Sequence, residues 1–229
     1  MQQESLPGPA DVEYFTQAQA GAWGDTLQAF LRFCEISPGS RVLDVGAGPG
    51  LLPRLCQAQG ARSTVSCDSS WPMSTRAAQL GRAVAGLTPL TGSVLGLPLA
   101  VGVFDAVLAT NLLFLLPDPA VSLAEMARVC AGGGMVAFLN PSDAMSVAAA
   151  GRFADERGLA GFTRFSLLNY ARLAEEHLRL SPAAWEALAT AAGLQDVRTK
   201  PFAGGLEIFV RGRKAPARVS QPSPKGLLL

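Results

Sequence analysis

Residues 42–50 read Val-Leu-Asp-Val-Gly-Ala-Gly-Pro-Gly, an apolar run that meets one acid and then a glycine at every second position. An apolar, β-branched segment of this length predicts a short buried strand over 41–45. The spacing of 51–59, closed by Gly60, predicts a helix directly after the turn. A strand joined to a helix in this way is one unit of a parallel sheet, because a parallel neighbour is reached only through a crossover. Gly46, Gly48 and Gly50 can take backbone angles closed to other residues. Without side chains they let a ligand lie against the amide groups at the helix start, the place favoured by a carboxylate or phosphate.

The unit repeats along the chain. Strands are expected over 65–67, 87–91, 104–109 and 135–139, with helices over 72–85 and 119–130 between them. Before the first strand, Phe15, Trp23, Leu27, Phe30, Leu31 and Cys34 fall at helical spacing, so leading helices are placed within 12–36. After the fifth strand the rhythm breaks into a charged helical insertion over 144–180, and Ser181-Pro182 then starts another helix as N-cap and first residue. Segments 197–201 and 206–211, joined through Ala203-Gly204-Gly205, read as a closing antiparallel hairpin. The expected fold class is α/β: a Rossmann-like, doubly wound, mostly parallel seven-stranded sheet with a C-terminal antiparallel hairpin and a helical lid insertion. Residues 1–212 are read as a single domain. Residues 213–229 hold three prolines and no apolar period, and are read as a disordered tail.

Composition narrows the function classes. With 19 basic against 18 acidic residues and only 16% charged, the chain has no excess that would favour nucleic acid. Cys34, Cys56, Cys67 and Cys130 lie far apart without C-x-x-C pairing, so no metal site is expected. Nothing at the start reads as a leader and no run of apolar residues is long enough to span a bilayer. The expectation is a cytoplasmic protein without membrane insertion.

Two cofactor classes use a glycine turn of this kind, and spacing separates them. A dinucleotide fingerprint that starts at Gly46 needs a glycine at position 51, where the chain has Leu51. Instead, V-L-D-V-G-A-G-P-G resembles the first motif of class I S-adenosylmethionine-dependent methyltransferases, in particular the small-molecule branch that includes ubiquinone-biosynthesis-like enzymes (methyltransferase type 11). Asp68-Ser69-Ser70-Trp71-Pro72-Met73 resembles the family's D-x-S-x-x-M segment. Leu97-Pro98 with Phe104-Asp105-Ala106-Val107 resembles its L-P … F-D-x-V stretch, and 125–134 its E-x-x-R-V-L-K-P-G-G segment, with Ala131 and Gly132 in place of lysine and proline at a surface turn. Gly92-Ser93-Val94 stands where the family commonly has an acid, and Thr110-Asn111 begins the stretch that often holds a histidine.

The resemblance implies S-adenosyl-L-methionine as cofactor, a small-molecule methyl acceptor as partner, and Asp44, Gly46, Ala47, Gly48, Gly50, Asp68, Ser69, Met73, Ser93, Val94 and Asn111 as the cofactor-binding set. Asp68 would accept from a ribose diol, Met73 would hold the adenine face and Ser93 would stand in as a neutral acceptor for the adenine amino group. Candidates for a catalytic role are His177, the sole histidine, Tyr14 in the leading helix and Asn111. Two other readings stay open: a non-catalytic binding or accessory protein, and an NAD-dependent oxidoreductase. The acceptor atom, whether oxygen, nitrogen or carbon, is left open.

Overall fold

A computed structural model describes residues 9–216. Two helices, α1 (Pro9–Ala20) and α2 (Ala22–Cys34), lead into β1 (Arg41–Val45), α3 (Leu51–Ala58), β2 (Ser63–Asp68), α4 (Trp71–Gly81), β3 (Leu87–Thr91), β4 (Phe104–Thr110), α5 (Pro119–Val129) and β5 (Cys130–Pro141). Three further helices follow, α6 (Val147–Glu156), α7 (Gly161–Glu175) and α8 (Pro182–Ala191), and the hairpin β6 (Leu194–Phe202) and β7 (Glu207–Lys214) closes the chain. The strand order is β3-β2-β1-β4-β5-β7-β6. β1 to β5 pair in parallel, while β7 runs antiparallel to both β5 and β6. The seven-stranded, doubly wound sheet read from the sequence is the sheet observed.

Alternation along the central strands builds two cores. Leu43, Val45, Val107, Ala109 and Phe138 point to one face, against Leu123 and Met126 of α5, Ala171 of α7 and Trp185 of α8. Val42, Ala106, Leu108, Ala137 and Leu139 point to the other, against Phe30 and Leu31 of α2 and Leu52 of α3. A sheet covered on both faces needs strands that are apolar at almost every position, and β4 is buried throughout except at Asp105 and Thr110. Helix starts are fixed by side chains: Ser181 Oγ, as the sequence suggested, accepts from Ala184 N at 3.3 Å, and so do two caps not read from the sequence, Ser70 Oγ from Met73 N at 3.4 Å and Asp118 Oδ1 from Ala120 N at 2.9 Å. Replacing Asp118 with alanine is expected to cost about 1 kcal/mol in chemical denaturation; an unchanged midpoint would show that the cap adds nothing here.

Among the boundaries that differ from the expectation, three stand out. α4 stops at Gly81 rather than Ala85, and the chain turns through Gly86, φ +79°, into β3; Gly81 has no room for a side chain, as a Cβ there would stand 2.8 Å from Leu87. Residues 131–134 form no plain surface turn: they belong to β5, which begins at Cys130 opposite Phe104 and shifts register before Met135 pairs with Ala106. Arg213 and Lys214 pair with Gln195 and Leu194, so two residues assigned to the tail are strand, and 217–229 lie outside the described residues.

β1 sits where the strand order reverses, with β2 and β3 to one side and β4 to the other. The crevice outside the carboxyl ends of β1 and β4 is the ligand position such a sheet offers.

Candidate active site

The turn after β1 is held by its own donors. Gly46 N and Ala47 N both donate to Cys67 O, at 2.8 and 3.1 Å, Gly48 N donates to Asp68 Oδ2 at 2.8 Å, and Gly50 N to Ala47 O at 3.0 Å. Leu51 N, the first donor of α3, is taken by Gln19 Oε1 of α1 at 3.0 Å. The sequence reading expected these amides to be free for a ligand; they are engaged, because a left-handed turn packed against β2 folds back on that strand's carbonyl and carboxylate. What the turn offers instead is space. At Gly50, with φ +82°, a Cβ would lie 2.9 Å from the Cβ of Ala77. At Gly48, with φ +54°, the nearest atom would be Gln19 Nε2 at 3.6 Å, so this glycine borders an opening.

That opening is a cavity of about 430 Å³ with a mainly apolar wall. Gly46, Gly48, Asp68, Ser69, Met73, Ser93, Val94 and Asn111, all expected at the cofactor, line it, as does Tyr14. Ala47, Gly50 and Asp44 stand behind the wall. Asp44 is fully buried, both of its carboxylate oxygens lack a partner among the described residues, and burial, with Asp68 nearby, holds its pKa well above the carboxylate range. His177 also lies off the cavity: exposed at the end of α7, its Nδ1 is 2.8 Å from Leu173 O and its ring rests 6.1 Å from that of Phe114.

Asp68 is the polar centre of one wall. Its Oδ1 accepts from Ser70 N at 2.9 Å and its Oδ2 from Gly48 N. Burial raises its pKa, and the two amides oppose that rise. A carboxylate has about four lone-pair directions, so two remain for a diol. Ser93 Oγ accepts from Leu95 N at 3.2 Å and keeps its own proton to donate.

The opposite wall was not visible in the sequence. Tyr170 of α7 donates from its hydroxyl to Asn111 Oδ1 at 2.6 Å, and its ring meets Trp23 of α2 edge-on at 4.8 Å. Asn169 Nδ2 donates to Tyr14 Oη at 3.3 Å. Asn111 holds a left-handed backbone, φ +54°, with its N–H on Leu139 O at 2.8 Å. Glu207, at the start of β7, is 5% exposed with no hydrogen bond to its carboxyl from a described residue, and burial pushes its pKa to about 8. Burial, then the charge of Glu207, hold Tyr170 well above the usual phenol. Asn111 was a candidate from its place after β4; Gln19, Asn169 and Tyr170 carried no local signal, since their partners are 32, 155 and 59 residues away.

A family model described as a methyltransferase domain matches residues 43–138, which span the glycine turn, Asp68, Ser93 and Asn111. Residues 43–138, under half of the chain, are thus similar to a methyltransferase domain, and the seven-stranded sheet they belong to has the fold of class I S-adenosylmethionine-dependent methyltransferases. S-adenosylmethionine is the cofactor of this domain class, and the open approach at Gly48 beside Asp68 fits it. Over 107 residues the chain is 38% identical to an uncharacterised protein of Mycobacterium tuberculosis, an alignment that takes in 46% of this chain and 38% of that one. Over 133 residues it is 33% identical to a malonyl-[acyl-carrier protein] O-methyltransferase of Geobacter sulfurreducens, covering 57% of this chain and 49% of the relative. The chain thus spans half or less of the length of these curated relatives. The methyltransferase fold recurs in a chain solved in complex with the Haloferax volcanii Trm112 methyltransferase activator, at TM-score 0.71 and 17% identity over 93% of this chain and 97% of that one. It recurs also in an S-adenosylmethionine-dependent methyltransferase from Aquifex aeolicus, at TM-score 0.64 and 16% identity over 90% and 98%. Among the described residues no helix is long and apolar enough to cross a membrane.

Proposed function

We propose that this chain is an enzyme that moves the methyl group of S-adenosylmethionine to a small, partly hydrophobic acceptor by in-line displacement. The observation that carries this reading is the cavity at the strand-order reversal, open at Gly48 and flanked by a half-buried carboxylate with two lone-pair directions to spare. Asp68 would hold the ribose diol, Met73 and Val94 the adenine face, and Ser93 the adenine amino group. Asp44, Ala47 and Gly50 would keep the turn in place from behind. The cofactor supplies a methyl carbon already activated by a sulfonium, so the chain's own task is alignment and exclusion of water. The second task falls to α1 and α7, which meet over the cavity through Tyr14, Phe162 and Phe165. Lid, sheet and leading helices are read as one domain, and the four buried free cysteines support a reducing, cytoplasmic setting.

Calorimetry tests the reading: S-adenosylmethionine and S-adenosylhomocysteine are expected to bind and NAD is not, while binding of NAD alone would restore the oxidoreductase reading. Transfer of a labelled methyl group into a metabolite extract separates an enzyme from an accessory protein that only binds the cofactor. Asp68→Ala is expected to weaken S-adenosylmethionine binding about 10–100-fold, the worth of one or two hydrogen bonds to a charged group. Unchanged affinity would place the ribose elsewhere.

A further inference from the structure

The wall opposite Asp68 has an arrangement that methyl donation alone does not require. Tyr170 gives its proton to Asn111 Oδ1, which turns the carboxamide so that its oxygen faces α7. Asn111 Nδ2 is left on the other side, without a hydrogen bond to any described residue, on a residue that lines the cavity. The left-handed backbone of Asn111, tied to Leu139 O, fixes the main chain from which the group projects. A fixed N–H donor thus faces the space that an acceptor would enter.

The same cavity holds no general base near that donor. Asp68, Tyr14 and Tyr170 are the ionisable side chains on its wall among the described residues; there is no histidine, lysine, arginine, glutamate or cysteine. Both oxygens of Asp68 are engaged by backbone amides across the cavity, and the proton of Tyr170 is held between its own oxygen and Asn111. An alcohol or a protonated amine entering here would find nothing to take its proton. A carboxylate needs no such help, and an amide N–H is a group that receives one.

Resting on the methyl-transfer reading above, we infer that Asn111, held by Tyr170, binds the acceptor and that the acceptor class is a carboxylate on a partly apolar body. In this step the carboxylate oxygen forms a bond to the methyl carbon as the carbon–sulfur bond breaks and its electron pair leaves on sulfur. The anion and the sulfonium become a neutral ester and a neutral thioether, and no proton moves. That neutralisation is favoured in an apolar cavity, which solvates the two charges poorly, and no lysine or arginine on its wall shields the carboxylate from the sulfonium. Asn111 touches the acceptor; Tyr170 is a positioning residue that acts through it.

Trp23 lies on the cavity wall beside Tyr170, so its fluorescence reports occupancy. The probes are octanoate and octan-1-ol, titrated into the full chain with and without S-adenosylmethionine, with methyl octanoate followed by mass spectrometry. Octanoate is expected to saturate at a concentration at least about tenfold lower than octanol, and methyl octanoate to form while methyl octyl ether does not. Asn111→Asp, which keeps shape and tolerates the left-handed backbone, is expected to abolish the preference by placing an oxygen where the donor was. Asn111→Gly serves as a second variant free of backbone strain. Tyr170→Phe is expected to lower the octanoate-to-octanol ratio severalfold, a quantity that simple loss of packing leaves unchanged. Equal or weaker binding of octanoate, absence of saturation by it, or a preference that survives in Asn111→Asp overturns the inference. Failure of S-adenosylmethionine to bind strikes the proposed function instead, and the titrations without it then decide the carboxylate preference independently.

Discussion

Gly48→Ala is expected to fold and to lose S-adenosylmethionine affinity by at least about 100-fold, or ~2.7 kcal/mol. The backbone at 48 is left-handed at φ +54°, so alanine costs about 1–2 kcal/mol in stability. The added methyl meets no protein atom closer than 3.6 Å, and only a ligand lying against the turn would feel it. Gly50→Ala supplies the contrast. Its methyl would stand 2.9 Å from the Cβ of Ala77 at φ +82°, so the damage falls on the packing of α3 against α4 and appears as a lower melting temperature without any ligand. Calorimetry and thermal unfolding on the two variants separate the roles: a Gly48→Ala chain that binds as tightly as the parent would mean that the cofactor does not approach the turn.

The second large effect concerns stability and pH. Glu207 is buried and its carboxyl has no hydrogen bond from a described residue; burial raises its pKa from the ordinary glutamate range to about 8. Between those values the folded chain holds a proton that the unfolded chain has released, so stability falls as pH rises. The loss begins near pH 4.5 and is complete once pH passes about 8. A displacement of this size corresponds to about 4–5 kcal/mol. Glu207→Gln keeps the shape and has no charge to bury, so it is expected to match the parent near pH 4 and to exceed it by several kcal/mol at pH 8.5 in urea denaturation. Parallel curves for parent and variant would show that Glu207 finds a partner in solution. Tyr170 keeps its proton first because it is buried, and an ionised Glu207 disfavours its phenolate further, so the proton stays on the bond to Asn111.

The parts of this molecule written in short range were readable from the chain alone. The change from a short apolar run in 41–45 to helical spacing in 51–58, across a turn of glycines, states both the element types and the bend between them. The continuous apolar run of β4 announces a strand covered on both faces, and the charged helices after β5 announce an insertion outside the sheet. What the sequence could not state is which distant side chains would use the turn's donors. The amides of 46–48 look free on paper, yet the crossover that brings β2 beside β1 also brings Cys67 O and Asp68 within reach of them. Asn111 was noticed because it ends a strand. Its partner Tyr170 sits in a lid helix whose apolar pattern assigns that position to the core, and only the approach of α7 to the turn after β4 gives its hydroxyl a role. His177 draws attention as the sole histidine of the chain, while its position past the last buried turn of α7 leaves it exposed.

The central claim is that the crevice outside β1 and β4 holds S-adenosylmethionine, with its ribose at Asp68 and its methyl-bearing end toward Asn111. A crystal structure of the chain with S-adenosylhomocysteine tests it most directly. The account expects density in the 430 Å³ cavity, with both ribose hydroxyls within hydrogen-bond distance of the Asp68 carboxylate and backbone contact at Gly48. Density at another face of the sheet, or a ligand in the cavity whose ribose lies away from Asp68, would contradict it.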